Sequence, residues 1–362
     1  MHIYYIFSGG RKKRLLNNIS SPKEFFYGFI ELSSLKKKIN FLEEEELGMK
    51  PRKSFFSIFF RKLSFFSFKF PLEMIYGFIV NKKFLKFNDK DILIATTNGI
   101  GITLAFAKKF GFIKCNLVVI AMGLIPKYSG YFKKLIYKFI FSNTKLLVIS
   151  IEEKKYLKKI MPNNNIEYIP FGVDNEFWCG SKIKKEEEYI LAIGNDKARD
   201  WKTLIESWDP SLPTLKIVTS KVIENIKSNV QIIKGDWKKN LLTDEQILEL
   251  YRGCKFVIVP LLDTIQPSGQ SVCLQAMSCK KPVIMSNISG LWDHSKLVHK
   301  DNIVLVKPKS PLLLNKAIND LLGDKTLYKN LAKNGRQLVD EIYNTENMSK
   351  YLKKIIDQLL VL

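Results

Sequence analysis

The stretch 256–290, FVIVPLLDTIQPSGQSVCLQAMSCKKPVIMSNISG, restricts the fold more than any other part of the chain. It opens on a solid apolar run at 256–259, the pattern of a strand buried on both faces. A polar loop holding Pro267 and Gly269 follows. Residues 271–279 then predict a helix, with Val272, Ala276 and Cys279 on one face at steps of four and three. Lys280 and Lys281 suit the negative end of that helix, and Pro282 stops it. A second apolar strand occupies 283–285. Strand, loop, helix and strand in this order are a unit of a parallel α/β sheet.

The loop places Ser268, Gly269, Gln270 and Ser271 at the start of the helix. A first helical turn leaves backbone N–H groups unpaired, and the aligned peptide dipoles add positive charge. Gly269 has no side chain to block approach, and Ser268 and Ser271 offer hydroxyls, so a phosphate or diphosphate suits this position. The same residues also make an ordinary capped helix with Ser268 as the cap.

Elsewhere the pattern alternates strand and helix. In the first half, strands are expected at 2–7, 91–95, 116–121 and 145–150, with helices at 22–32, from 98 to about 110, at 131–141 and at 152–160. Between 170 and 188 the pattern breaks at Pro170, Gly172 and Gly180, and a charged run at 182–188 reads as a linker. Beyond it, strands at 189–193, 214–219, 230–233, 256–259 and 283–285 alternate with helices, and helices at 312–322, 327–343 and 348–360 close the chain. A length of 362 residues exceeds one ordinary core, so two domains are expected.

Three segments carry a resemblance. Residues 168–178, YIPFGVDNEFW, resemble the I-P-N-G-V-D-x-x-x-F linker of the family 4 retaining glycosyltransferases, with Trp178 at the final aromatic. Residues 189–206, YILAIGNDKARDWKTLIE, are similar to the strand, glycine loop and helix that open that family's donor domain. The stretch 256–290 is similar to its S-G-Q-x-x-x-L-(E/Q)-A-M-(A/S)-x-x-K-P-V-I signature. The three occur in the family's order and spacing and cover the chain from about residue 166 onward; the N-terminal half is similar only in its pattern of elements.

The resemblance implies two Rossmann-like domains facing each other across a cleft, the B-type glycosyltransferase fold. The boundaries expected are 1–180 for an acceptor domain, 181–345 for a nucleotide-sugar domain, and 346–362 for a last helix packing back on the first. Ligands in such sheets sit beyond the carboxyl ends of the strands. Gly194, Arg199, Gln266, Ser268, Gly269, Gln270, Ser271 and Gln275 are the donor-side candidates, and Gly9, Gly10 and Gly123 the acceptor-side ones. Arg199 suits a bidentate clamp on a diphosphate, or else a surface pair with Asp196 or Asp200. No catalytic side chain, metal or cofactor is implied.

This chain departs from the family at informative places. Most relatives carry two glutamates separated by seven intervening residues near the donor; here Pro267 and Gln275 stand in those positions. Gln275 is expected to reach the donor ribose with its amide. Met122 and Gly123 stand where a His-Gly pair is usual, and Asp200 where a lysine is. Transfer with retention asks little of a protein base, because the leaving diphosphate accepts the acceptor's proton, so positioning and charge stabilisation dominate. A glycosyltransferase with a nucleotide-sugar donor and a saccharide or lipid-linked acceptor is the reading; a non-catalytic nucleotide-sugar-binding or scaffold protein is the alternative.

Charge adds one further expectation. Residues 1–180 hold 30 Lys/Arg against 14 Asp/Glu, so +16 of the net +23 lies there. Much of it lies in residues 50–90, where basic residues interleave with phenylalanines as in PRKSFFSIFFRKLSFFSFKF, residues 51–70, which suits either an anionic membrane surface or a phenylalanine-filled core beneath a lysine-rich exterior. Phe132, Leu135, Ile136 and Phe139 with Lys133, Lys134 and Lys138 make a second such helix. No nucleic-acid-binding motif accompanies the charge. Five scattered cysteines and three histidines form no zinc spacing and fit a reducing compartment. The start, MHIYYIFSGG, lacks a basic region before its apolar run and reads as a buried strand. A cytoplasmic protein is expected, or one peripheral on the inner face of the plasma membrane.

Overall fold

The computed structural model describes residues 1–16, 21–35, 38–50, 55–66, 70–180, 188–235 and 241–361. Contacts divide the chain into two units: Met1–Ile19, Phe25–Pro170 and Met348–Leu362 in the first, Ser20–Glu24 and Phe171–Asn347 in the second.

The first unit runs β1 Ile3–Phe7, α1 Arg11–Leu16, α2 Phe29–Leu35, β2 Ile39–Glu43, α3 Phe55–Phe66, α4 Leu72–Val80, β3 Ile92–Ala95, α5 Asn98–Lys109, β4 Asn116–Ala121, α6 Tyr131–Ile140, β5 Lys145–Val148, α7 Ile151–Ile160 and β6 Ile166–Tyr168. Its strands lie parallel in the order β2-β1-β3-β4-β5-β6. The central ones are apolar runs buried along their length, because helices cover both faces of a parallel sheet. Strand order reverses between β1 and β3.

The second unit runs β7 Tyr189–Ile193, α8 Trp201–Ser207, β8 Thr214–Thr219, β9 Val230–Lys234, α9 Asp244–Gly253, β10 Val257–Val259, α10 Gln270–Ser278, β11 Val283–Ser286, β12 Val304–Val306, α11 Pro311–Gly323 and α12 Lys325–Glu341. The sheet order is β12-β11-β10-β7-β8-β9, again parallel, with the reversal between β7 and β10. The final helix, α13 Thr345–Val361, begins in this unit and continues into residues grouped with the first.

The local differences from the sequence reading have physical causes. The helix expected at 22–32 is a 3-10 turn at Lys23–Phe26 and then α2, broken where Tyr27 and Gly28 take positive φ. Strand β2 has no alternating pattern to announce it. Residues 171–180 pack with the second unit, so the division falls at Pro170 and not near Gly180. Trp178 is the reason: its ring is buried edge-on against Tyr251 at 5.7 Å, and its carbonyl accepts the Ser278 hydroxyl at 2.5 Å. Gly172 is glycine because a β-carbon there would come within 2.1 Å of the Asn344 carbonyl oxygen. Most of the charged run, 181–187, lies outside the described residues, as do 51–54 and 67–69 of the basic aromatic stretch. Among the described residues no helix is long and apolar enough to cross a membrane.

Candidate functional site

The reversal of strand order between β7 and β10 opens a crevice at the carboxyl ends of those strands, the place where ligands bind in open α/β sheets. Two loops meet there. The first leaves β7 at Gly194, whose carbonyl accepts the Thr219 hydroxyl at 2.8 Å. It turns through Asn195, whose amide ties Gly235 at 2.7 Å and accepts the Ser220 N–H at 2.6 Å, so the ends of β7, β8 and β9 are stitched together. The second leaves β10 at Val259 and runs to Gly269.

Arg199 stands between the two loops. Its Nε donates to the Ile193 carbonyl at 3.1 Å and lies 3.4 Å from Asp196. The guanidinium is folded under Gly194, where a β-carbon would come within 1.8 Å of Nε. The side chain is only 3% exposed, and burial draws its pKa below the usual arginine range while Asp196 holds it up. Nη1 is buried and has no hydrogen-bond partner among the described residues. It is aimed at Gly269: a β-carbon on that residue would come within 3.0 Å of Nη1 and 2.6 Å of Val259 Cγ1.

Gly269 itself is the N-cap of α10, at φ +76°, with no side-chain cap bond. Ser268 is therefore not the cap; its N–H turns back to the Gln266 carbonyl at 2.8 Å. Gln266 and Ser268 are half-buried, Gln270 is buried, and Ser271 is exposed. The arrangement thus sets a buried guanidinium with an unused N–H against the open N-terminus of a nine-residue helix. Both are positive, and both fit one anion. Asp200 is used differently. It caps α8, accepting the Thr203 N–H at 3.1 Å and hydroxyl at 2.7 Å, while Lys202 points into solvent.

Gln275 does not have the free amide that the sequence suggests. It is buried on α10, its Oε1 accepts the Tyr251 hydroxyl at 3.1 Å, and its Nε2 donates to Glu24 at 3.0 Å. Glu24 comes from a segment, 21–24, that packs in this unit. Its Oε1 also accepts Trp178 Nε1 at 2.6 Å, and its Oε2 accepts the Asp174 N–H at 3.0 Å. Asp174 answers by accepting the Lys23 N–H at 3.0 Å, and it closes its own turn on Glu176 and Phe177. Burial pushes the Glu24 carboxyl up to about 7, although donors from Gln275, Trp178 and Asp174 pull the other way. Glu24 and Tyr251 carry no sequence signal for this network. Trp178 and Asp174 had one, in the 168–178 motif.

The acceptor-side candidates lie in the first unit. Gly9 follows β1 and Gly123 follows β4, two strands apart in the sheet. The Gly9 N–H is taken by Glu44 at 3.2 Å, and a β-carbon there would meet Glu45 at 2.0 Å. Gly10, at φ +89°, is open. Gly123, at φ +64°, sits in a loop held by Glu153, which accepts the Leu124 N–H at 2.8 Å. Burial lifts the Glu153 carboxyl to about 7 as well. Ser150 and Glu153 have the S-x-x-E spacing of a capping box. Ser150 does cap α7, and Glu153 is spent on the Gly123–Leu124 loop. Among the described residues no three His, Cys, Asp or Glu side chains are grouped as metal ligands would be.

Two parallel sheets, each with its crevice at a strand-order reversal, define two Rossmann-like domains of the B-type glycosyltransferase fold. Sucrose-phosphate synthase from Thermosynechococcus elongatus superimposes with a TM-score of 0.73 at 14% identity, covering 100% of both chains. HepE of Anabaena in complex with UDP gives 0.71 at 13%, covering 99% of this chain and 100% of that one. Residues 224–338 match the model of the family of glycosyl transferases group 1. An uncharacterized glycosyltransferase of Methanocaldococcus jannaschii, MJ1178, is 26% identical over 141 residues, 38% of this chain; the match spans 38% of that relative's own length.

Proposed function

We propose that the chain transfers a sugar from a nucleotide-sugar donor to a saccharide or lipid-linked acceptor, with retention, in the synthesis of a surface polysaccharide or glycolipid. The observation that carries this reading is the buried Nη1 of Arg199, without a hydrogen-bond partner among the described residues, facing Gly269 at the start of α10. A donor's diphosphate fills both needs at once, and the charge that develops on it as the sugar departs is stabilised by groups already in place. The UDP held by the structurally similar HepE supports a nucleoside diphosphate as the ligand class. Retention and membership of family 4 rest on the three sequence motifs. A position at the membrane rests on the charge of the first unit.

A second reading, a binding protein without turnover, is favoured by Pro267 and by the internal use of Gln275. Calorimetric titration with UDP, GDP and their sugars tests the site itself. Donor hydrolysis without acceptor separates the two readings: binding with no turnover for any donor supports the second, and no nucleotide binding removes both.

A further inference from the structure

Helix α6 in the first unit is amphipathic in an unusual sense. Tyr137 and Ile140 are buried, yet Phe132, Leu135, Ile136 and Phe139 form a stripe at i, i+3, i+4 and i+7 that faces solvent, with Phe132 71% and Phe139 53% exposed. Beside it, Phe110 at the end of α5 is 54% exposed. Such a patch on one helix marks an interaction surface.

The patch is also a way into a cavity. A volume of 540 Å³ lies among Phe70, Leu72, Phe106, Phe110, Ile136 and Phe139, within the range of roughly 300–1,000 Å³ usual for small-ligand sites. Its walls are hydrocarbon, and among the described residues Lys133 is the one lining side chain that carries charge. The segment that supplies α5 and α6 is cationic: residues 92–151 contain eight lysines and no Asp or Glu, and Glu73, next to the lining Leu72, is the acidic residue beside the cavity's other wall. Lys133, Lys134 and Lys138 rise from α6 itself, and Lys109 Nζ lies 4.4 Å over the Phe139 ring.

An apolar slot with a cationic rim is complementary to a hydrocarbon chain that bears an anionic head. A nucleic acid would answer the lysines but not the solvent-facing phenylalanines and leucine. We propose that this face of the first unit rests on an anionic bilayer and that the cavity between α5 and α6 receives one hydrocarbon chain of a membrane lipid, its phosphate lying among the α6 lysines. This gives chemical form to the membrane placement in the proposed function and is independent of sugar transfer.

Fluorescence tests it directly. The five tryptophans all fall within residues 178–292, so Phe139→Trp adds a reporter to a unit that has none. With vesicles of phosphatidylcholine and phosphatidylglycerol brominated in their acyl chains, the added emission should be quenched while wild-type emission is not. Replacing Lys133, Lys134 and Lys138 by Gln should weaken vesicle binding by roughly a hundredfold. Phe110→Ser with Ile136→Ser should abolish quenching in a Phe139→Trp background. Thermal shift with UDP, read on each variant, reports folding and the donor site separately and should not change. Equal binding to pure phosphatidylcholine, or vesicle binding without acyl-chain quenching, would overturn the proposal, as would capture of an acidic protein by this face in place of lipid.

Discussion

Nε2 of Gln275 donates to Oε1 of Glu24 at 3.0 Å, across 251 residues of chain. This contact explains why an amide stands on α10 where most members of the resembled family carry a carboxylate. A glutamate at 275 would face Glu24 in a buried site, and two carboxylates there cannot both ionise. The acidic group is not lost from the neighbourhood of this helix; it arrives from residue 24.

A charge swap follows. Gln275→Glu should cost about 1–3 kcal/mol of stability at pH 8, as two buried acceptors are left facing each other. Glu24→Gln in the same chain should return most of it, a coupling of the size expected for groups in one network. Urea unfolding of the four proteins measures the cycle. Additive losses would show that 24 and 275 do not communicate.

The pH dependence has a defined sign. Glu24 and Glu153 both have carboxyls raised to about 7 in the folded chain, above the 4.5 of an unperturbed group. The folded state therefore binds these protons first as pH falls. Their contribution to stability is complete below about 4.5 and is lost as pH rises through 7, at up to about 3 kcal/mol for each group. Glu24→Gln should flatten the melting-temperature profile between pH 5 and 8, and Glu153→Gln should flatten it further. A wild-type profile that rises with pH over this window would mean that both carboxylates stay ionised.

Arg199→Ala should weaken UDP binding by about 1.5–3 kcal/mol, the worth of a charge-assisted hydrogen bond. Arg199→Lys should recover little, because an ammonium lacks the fork that serves the Ile193 carbonyl and the anion together. Isothermal titration at two salt concentrations reads the effect. Equal affinity in the folded alanine variant would take Arg199 out of the donor site.

Gly269→Ala should be costly on two grounds. The residue sits at φ +76°, a left-handed conformation worth about 1–2 kcal/mol against an L side chain, and a β-carbon would press within 2.6 Å of Val259. Melting should fall by several degrees, and UDP binding should weaken because the displaced loop no longer faces Nη1 of Arg199. A variant with wild-type melting would show that the loop relaxes freely.

The sequence by itself determined most of the strands and the loops that follow β7 and β10, while β2, β6 and β12 went unmarked. Buried parallel strands need unbroken apolar runs, so 256–259 and 189–193 announced themselves, and the glycines at 194 and 269 marked the close approaches that follow those strands. What Arg199 does was half legible: its loop could be read, but not that it is buried beneath Gly194 with one N–H to spare. The fate of Gln275 was not legible at all. Hydrophobic periodicity reports which face of an element is covered, yet it carries no information about which distant polar group meets a buried amide. That pairing is fixed by where the segment 21–24 packs, and only the tertiary structure brings Glu24 to Trp178, Asp174 and Gln275. The same holds for α6, whose apolar stripe would suit a core in sequence and is left facing solvent in the folded unit, because Tyr137 and Ile140 on its other side already fill the place against the sheet.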